Sequence, residues 1–221
     1  MSAYFFSFPL DANLQQTLDD LITNNAKGQY ADPSVTVTLA TGTTDGVIKA
    51  LALDVIDILK SNGEGAGILG MLASLMKSTM HTLIKQIMGK VSNSEQDKLA
   101  GYLGRRRVSV NGVTRFGFGM PDAIGARFEG VLARIAAGDM ANSREDLTAA
   151  MYDFIEIATV NFYDEFTSSL ELGFVKQKMV SIGRGAIVKG SHSAVGKLFV
   201  GMSDDDFKRV CAHYSSMFVK A

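Results

Sequence analysis

From Ser143 to Leu172 the chain runs SREDLTAAMYDFIEIATVNFYDEFTSSLEL without a proline or a glycine, and no other stretch limits the fold as much. Ser143 with Asp146 three residues later gives a capping-box-like start, and Gly173 gives a stop. At about 100° per residue, Leu147, Met151, Phe154, Ile155, Ala158, Phe162 and Phe166 share one arc, the wide apolar stripe of a helix that faces a core. The expectation is one unbroken helix over 143–172 with the other elements packed around it.

The acids of this stretch are sorted too. Glu145, Asp146, Asp153, Glu156, Asp164 and Glu171 fall in a second arc, and no Lys or Arg occurs from Glu145 through Val175. Like charges three or four residues apart repel by a few tenths of a kcal/mol each, so this arc needs solvent or cations beside it. Ile157 and Val160 lie on the same side, where a purely solvated face has little use for them. Asp153, Glu156, Ile157, Val160 and Asp164 are therefore the expected partner-facing stripe, docked on basic segments of this chain or on a second copy. Glu165 stands alone in the apolar arc; it is expected to reach an Arg or water, and is a weak catalytic candidate. Without a Glu-x-x-His pairing, no metal site is expected.

Shorter helices flank this one. Asp11–Lys27 carries Leu10, Leu14, Leu18, Leu21 and Ile22 on one face and ends at Gly28. Ser34–Ala40, SVTVTLA, alternates as a strand does, and a helix is expected from Thr44 or Asp45 to Lys60. After the break SNGEGAG, Ile68–Met88 predicts one or two Met- and Leu-rich helices. Ser94 with Asp97 caps a helix to about Leu103, and Pro121–Ala137 forms another, stopped by Gly138. Phe174–Met202 is rich in glycine and predicts broken or closely packed helices. Ser203 caps a last helix that carries Phe207, Val210, Cys211, Tyr214 and Phe218. With no repeat and no low-complexity linker in 221 residues, one domain over 1–221 is expected. The fold class is mainly α: a multi-helix domain around one long central helix, with a small antiparallel β element, a hairpin or three strands.

The hairpin is the strongest local signal. In RRRVSV-NG-VTRFGF, Asn111-Gly112 supplies the two positive-φ residues of a type I′ turn between alternating runs. A two-residue loop pairs Val110 with Val113, Ser109 with Thr114, Val108 with Arg115, Arg107 with Phe116, and Arg105 with Phe118. A lone hairpin is marginal in water, so it is expected to find a third strand or a helix, with Ser34–Ala40 the candidate strand. Arg105, Arg106, Arg107, Arg115, Phe116 and Phe118 are the expected phosphate- or partner-binding set, because arginine stacks on rings and basic-aromatic strand faces hold phosphates and bases. The alternative is that the Arg stems cover the rings, or that the guanidiniums meet the acidic helix face.

Other features exclude rather than assign. A net charge of −1 argues against a surface that seeks nucleic acid or anionic membrane as a whole. One cysteine, Cys211, fits a reducing compartment and reads as a buried thiol. The start MSAYFFSFPLD lacks the basic and apolar regions of a signal peptide, and no apolar run reaches the roughly 20 residues of a membrane span. The expected location is the cytoplasm. Gly65-Ala-Gly67-Ile-Leu-Gly70 lacks both the preceding strand and the following acid of a dinucleotide site. Gly196-Lys197 does not complete a phosphate loop, and Ser191-His192-Ser193 lacks the glycines of a nucleophile elbow. His81, His192 and His213 are scattered. No cofactor is expected.

Three functions are compatible with these residues. The first is a non-enzymatic helical interaction or regulatory protein, a homo-oligomer or partner-binding chain using complementary acidic and basic faces. The second is nucleic-acid binding by the Arg/Phe hairpin. The third is a carrier or enzyme with an apolar small-molecule pocket among the Met-rich helices. A membrane partner is not expected.

Overall fold

The central stretch is helical from Ser143 to Ser168, though not as one α-helix. The computed structural model describes residues 4–59, 64–88 and 90–220. In it α7 (Ser143–Thr159) passes into a π-helical turn (Val160–Asp164) and then into the short α8 (Glu165–Ser168). Both junction residues keep right-handed helical angles, so there is no loop. A π turn takes one extra residue and shifts the phase of every later position in the helix. Tyr163 accordingly fills the fully buried position that regular winding gives to Phe162, and Phe166, Thr167 and Leu170 continue the buried row. The expected run to Leu172 is also too long. Thr167, Ser168 and Ser169 return their hydroxyls to the carbonyls of Tyr163, Glu165 and Phe166, and the helix stops there.

A second helix of this kind replaces the expected strand. Ser34–Ala40 lies in α2 (Pro33–Ile48), which runs through another π turn (Lys49–Leu53) into α3 (Asp54–Ile58). Asp32 accepts the Ser34 N–H as the cap, and Pro33 sits at the first helical position, where its missing N–H costs nothing. Thr36 and Thr38 donate to the carbonyls of Pro33 and Ser34. The buried set Thr36, Leu39, Ala40, Thr43 and Val47 has helical spacing, and this longer pattern prevails over seven residues of alternation.

The sheet contains the hairpin and the first and last described segments. β2 (Arg107–Val110) and β3 (Val113–Met120) pair in the expected register from Val110–Val113 to Arg107–Phe116, with Asn111 and Gly112 at φ 51° and 77°. The third strand is β1 (Tyr4–Phe8) and the fourth β4 (Phe218–Lys220), in the order β2-β3-β1-β4. Phe118 therefore pairs with Phe6, and the expected pair with Arg105 does not form. Arg105 and Arg106 instead end α5 (Asn93–Arg106), whose capping box is Ser92 with Glu95 rather than Ser94 with Asp97. Phe218 leaves the last helix, α10 (Asp204–Ser215), for the sheet. The sheet packs on α7 through aromatic rings: Phe6 lies 4.8 Å from Phe154, Phe118 5.2 Å from Phe162, and Phe128 of α6 (Asp122–Ala136) stacks on Phe218 at 4.0 Å.

α1 (Ala12–Asn25) lies within the helix expected over Asp11–Lys27, and Asp11 is its cap. α4 (Glu64–Ile87) is one helix, and α9 (Phe174–Leu198) is also unbroken. Gly183, Gly190 and Gly196 of α9 serve close packing. A methyl at Gly183 would come within 2.6 Å of the Tyr163 hydroxyl, and one at Gly190 within 2.7 Å of Leu75. α4 and α9 run antiparallel, Gly65 beside Leu198 and Gly183 beside Leu83. One continuous set of buried side chains joins the sheet to the helices, so the structure is mainly α with a small β element. Among the described residues no helix is long and apolar enough to cross a membrane.

Candidate functional site

The charged surfaces meet each other within the chain. Asp146 holds Arg134, and Asp153 holds Arg127 at 2.6 Å. Arg184 of α9 bonds Asp164 at 2.9 Å and reaches Glu156 at 3.9 Å, where His192 also approaches at 3.5 Å. Lys98 meets Glu171 at 2.9 Å. Glu165, the acid of the apolar arc, takes both Arg105 and Arg106 at 3.2 Å. Exposed pairs are worth at most about 1 kcal/mol each, so they orient the helices more than they stabilise them. Ile157 is half-buried and Val160 is exposed.

The six hairpin residues do not form one surface. Arg107 pairs with Asp19 at 3.0 Å. Arg115 donates to the carbonyls of Ser7 and Ser216, tying β1 to the turn before β4. Phe116 and Phe118 are buried in the aromatic core. Arg184, which sequence reasoning left aside, neutralises two acids of the stripe; it is the first arginine after the acid-only run.

The two π turns are where the backbone departs from regularity, and both are held from outside. Such a turn leaves carbonyls without their usual partner, and buried carbonyls need one. At the first turn, His213 Nε2 lies 2.8 Å from the Ala50 carbonyl and the Tyr214 hydroxyl donates to Leu51 at 3.2 Å. A carbonyl only accepts, so Nε2 of His213 carries the proton. At the second turn, the Tyr102 hydroxyl donates to Phe162 at 3.4 Å, and Arg106 donates to the Asn161 carbonyl and its side-chain oxygen. Arg106 is only 4% exposed, and burial lowers its pKa from the ordinary value, opposed by the carboxylate of Glu165. Its guanidinium also covers the Tyr102 ring at 5.6 Å. Burial raises the phenol pKa values of Tyr102 and Tyr214 far above the usual range.

Between the turns lies an apolar cavity of about 100 Å³. Val47, Ile48 and Leu51 line it from the first turn and its approach, Ala158, Thr159, Phe162 and Tyr163 from the second, and Met76 and Met80 from α4. Four of its six side-chain hydroxyls donate to backbone carbonyls, that of Tyr102 as given above. Thr43 donates to Leu39, Thr159 to Ile155 and Tyr163 to Val180. Among the described residues no carboxylate, amine, imidazole or thiol lines it. Such a cavity can hold an uncharged molecule; the polar side-chain groups in its lining are the hydroxyls of Thr43, Thr44, Tyr102, Thr159, Tyr163 and Ser191.

The chain matches no protein-family model, no curated protein and no solved structure. The functional reading therefore rests on the site's chemistry.

The remaining candidates are dispersed. Cys211 is buried, and its thiol is pushed up to about 12 by that burial. His81 bonds Asp45 at 2.9 Å, while His192 lies over Tyr152 at 4.9 Å between centroids. Among the described residues no three His, Cys, Asp or Glu side chains gather to hold a metal. Gly65, Gly67 and Gly70 lie within α4, and the residues 60–63 before that helix lie outside the described ones. What sequence reasoning missed is the pair of π turns. Nothing in the apolar pattern signals them, since Ile48 to Ala52 and Ile155 to Tyr163 keep the four- and eight-residue spacings of an ordinary helix.

Proposed function

We propose that this protein is a non-enzymatic binding protein that takes up a small, uncharged, apolar molecule between its two π turns. The observation that carries the reading is that both irregular turns border the same cavity, each fixed by side chains of another helix. π turns recur at functional sites because they widen a helix where a regular one would close the space. An apolar cavity of roughly 150 Å³ holds benzene or xenon, so about 100 Å³ suits a xenon-sized guest, or a small ring once the flexible thioethers of Met76 and Met80 shift. A free, buried cysteine suits a reducing compartment, and the cytoplasm is part of this proposal.

The other readings have less to stand on. Self-association through acidic and basic faces has to compete with the ion pairs these faces already make within the chain. Nucleic-acid binding by the hairpin lacks its rings, which serve the core. The test is titration of the folded chain with benzene, toluene and indole, followed by amide chemical shifts. Saturable shifts around Leu51, Ala158 and Phe162 support the proposal, together with their loss in Ala158→Leu. A chain whose shifts ignore the whole series refutes it.

A further inference from the structure

The net charge of −1 conceals a strong segregation. No acid occurs between Glu64 and Glu95 or between Glu171 and Asp204, and these two stretches hold eight of the 22 basic residues and none of the 23 acidic ones beyond their boundaries. They are the stretches that form α4 and α9. All nine arginines of the chain have a carboxylate or carbonyl partner. By contrast, among the described residues Lys85, Lys178, Lys189 and Lys197 enter no ion pair and are exposed.

Five of the ten exposed large apolar side chains among the described residues lie on the same two helices. Winding α9 at about 100° per residue puts Phe174, Val175, Lys178, Ile182 and Lys189 on one side, opposite the buried Gly183, Ile187, Ala194 and Leu198. Phe174 is 82% exposed, Val175 71% and Ile182 65%. On α4, Met71 is 70% exposed. The groove between the helices is lined by Met71 and Leu75 on one bank and by Ser193 and Lys197 on the other, so both rows open to one side.

We infer that this α4–α9 face docks on the surface of an anionic lipid bilayer, lying on it without crossing it. Lysines and apolar side chains on one face match the two chemistries of that surface: anionic headgroups attract the former, and the headgroup–acyl boundary accepts the latter. A nucleic acid would use the lysines and leave Met71, Val175 and Ile182 in water. A two-fold contact with a second copy would set lysine against lysine. The sequence alone argues against a membrane partner because the total charge averages this face away.

The test is co-sedimentation of the full chain with vesicles of phosphatidylcholine, alone or with phosphatidylserine as about a third of the lipid. The expected result is at least tenfold tighter binding to the anionic vesicles, weakened by salt. It should fall at least tenfold again in Lys178→Glu/Lys189→Glu and severalfold in Phe174→Ser/Ile182→Ser, with unchanged circular dichroism. Lys208→Glu, on α10, is the surface-charge control and should bind as the parent does; so should Ala158→Leu, which separates this face from the cavity. Absence of binding to either vesicle overturns the inference, as does an equal loss in Lys208→Glu or no loss in the apolar double variant. Binding of single-stranded nucleic acid in place of vesicles, or a dimer dissolved by Ile182→Ser without vesicle binding, overturns it in favour of that partner.

Discussion

Replacing Ala158 by leucine puts three more carbons into the space between the π turns. Ala158 lines the cavity one residue before Thr159 and is half-buried, so the larger side chain has a direction in which to relax. Cavity space costs roughly 24 cal/mol per Å³, which for about 100 Å³ sets an upper gain of about 2.4 kcal/mol on filling it. Fitting a side chain into a cavity not shaped for it takes back about 1 kcal/mol or more. The expected net is a stabilisation of about 0.5–1.5 kcal/mol. A chain of 221 residues unfolds with an entropy of about 0.46 kcal/mol/K, so Tm should rise by about 1–3 °C. Calorimetry gives the shift, and titration with benzene gives the other half of the prediction: the stabilised variant no longer binds. A filled site that gains stability while losing its guest is the behaviour of a cavity maintained for function. Destabilisation by more than about 1 kcal/mol means that the space is not open as described, and benzene binding equal to the parent's means that the guest sits elsewhere.

Three further outcomes are expected from the packing. Tyr214→Phe keeps the ring and removes the donor to the Leu51 carbonyl, which should cost about 1–2 kcal/mol in chemical denaturation and raise hydrogen exchange across Lys49–Leu53. Gly117→Ala should cost more than about 3 kcal/mol or abolish folding, because its methyl would lie 1.9 Å from the Phe6 carbonyl oxygen in the middle of the sheet; circular dichroism and expression level report this. At alkaline pH the buried phenols unfold the chain. Burial raises Tyr163 to about 12, with Asp164 adding to the rise, and it raises Tyr102 and Tyr214 as well. The folded state then holds protons that the unfolded state releases, so stability is full below about pH 10 and declines above it. Tyr163 alone should account for roughly 2–3 kcal/mol of this loss by pH 12, and Tyr163→Phe should flatten the decline.

The sequence disclosed the parts whose cause is local. Asn111-Gly112 set the hairpin register because two successive positive-φ residues leave few other turns. Asp11, Ser203 and Gly138 marked helix ends through short-range capping. Ser34–Ala40 misled because a threonine-rich helix can also alternate over seven residues, its hydroxyls bonding carbonyls of the preceding turn. β1 and β4 are too short to announce themselves, and each becomes a strand only by pairing with a distant segment. The ion pairs joining α7 and α8 to α5, α6 and α9 are non-local, so the acidic stripe and the arginines were each visible and their meeting was not. The π turns differ from α-helix by one residue of phase, which an apolar arc of about 120° absorbs without trace.

Crystals of the protein pressurised with xenon put the central claim to its most direct trial. Helices that widen at Lys49–Leu53 and Val160–Asp164 around a dry apolar space predict one strong xenon site among Leu51, Met80, Ala158 and Phe162. Regular α-helix through both segments, or a closed interior with no xenon between them, would contradict it.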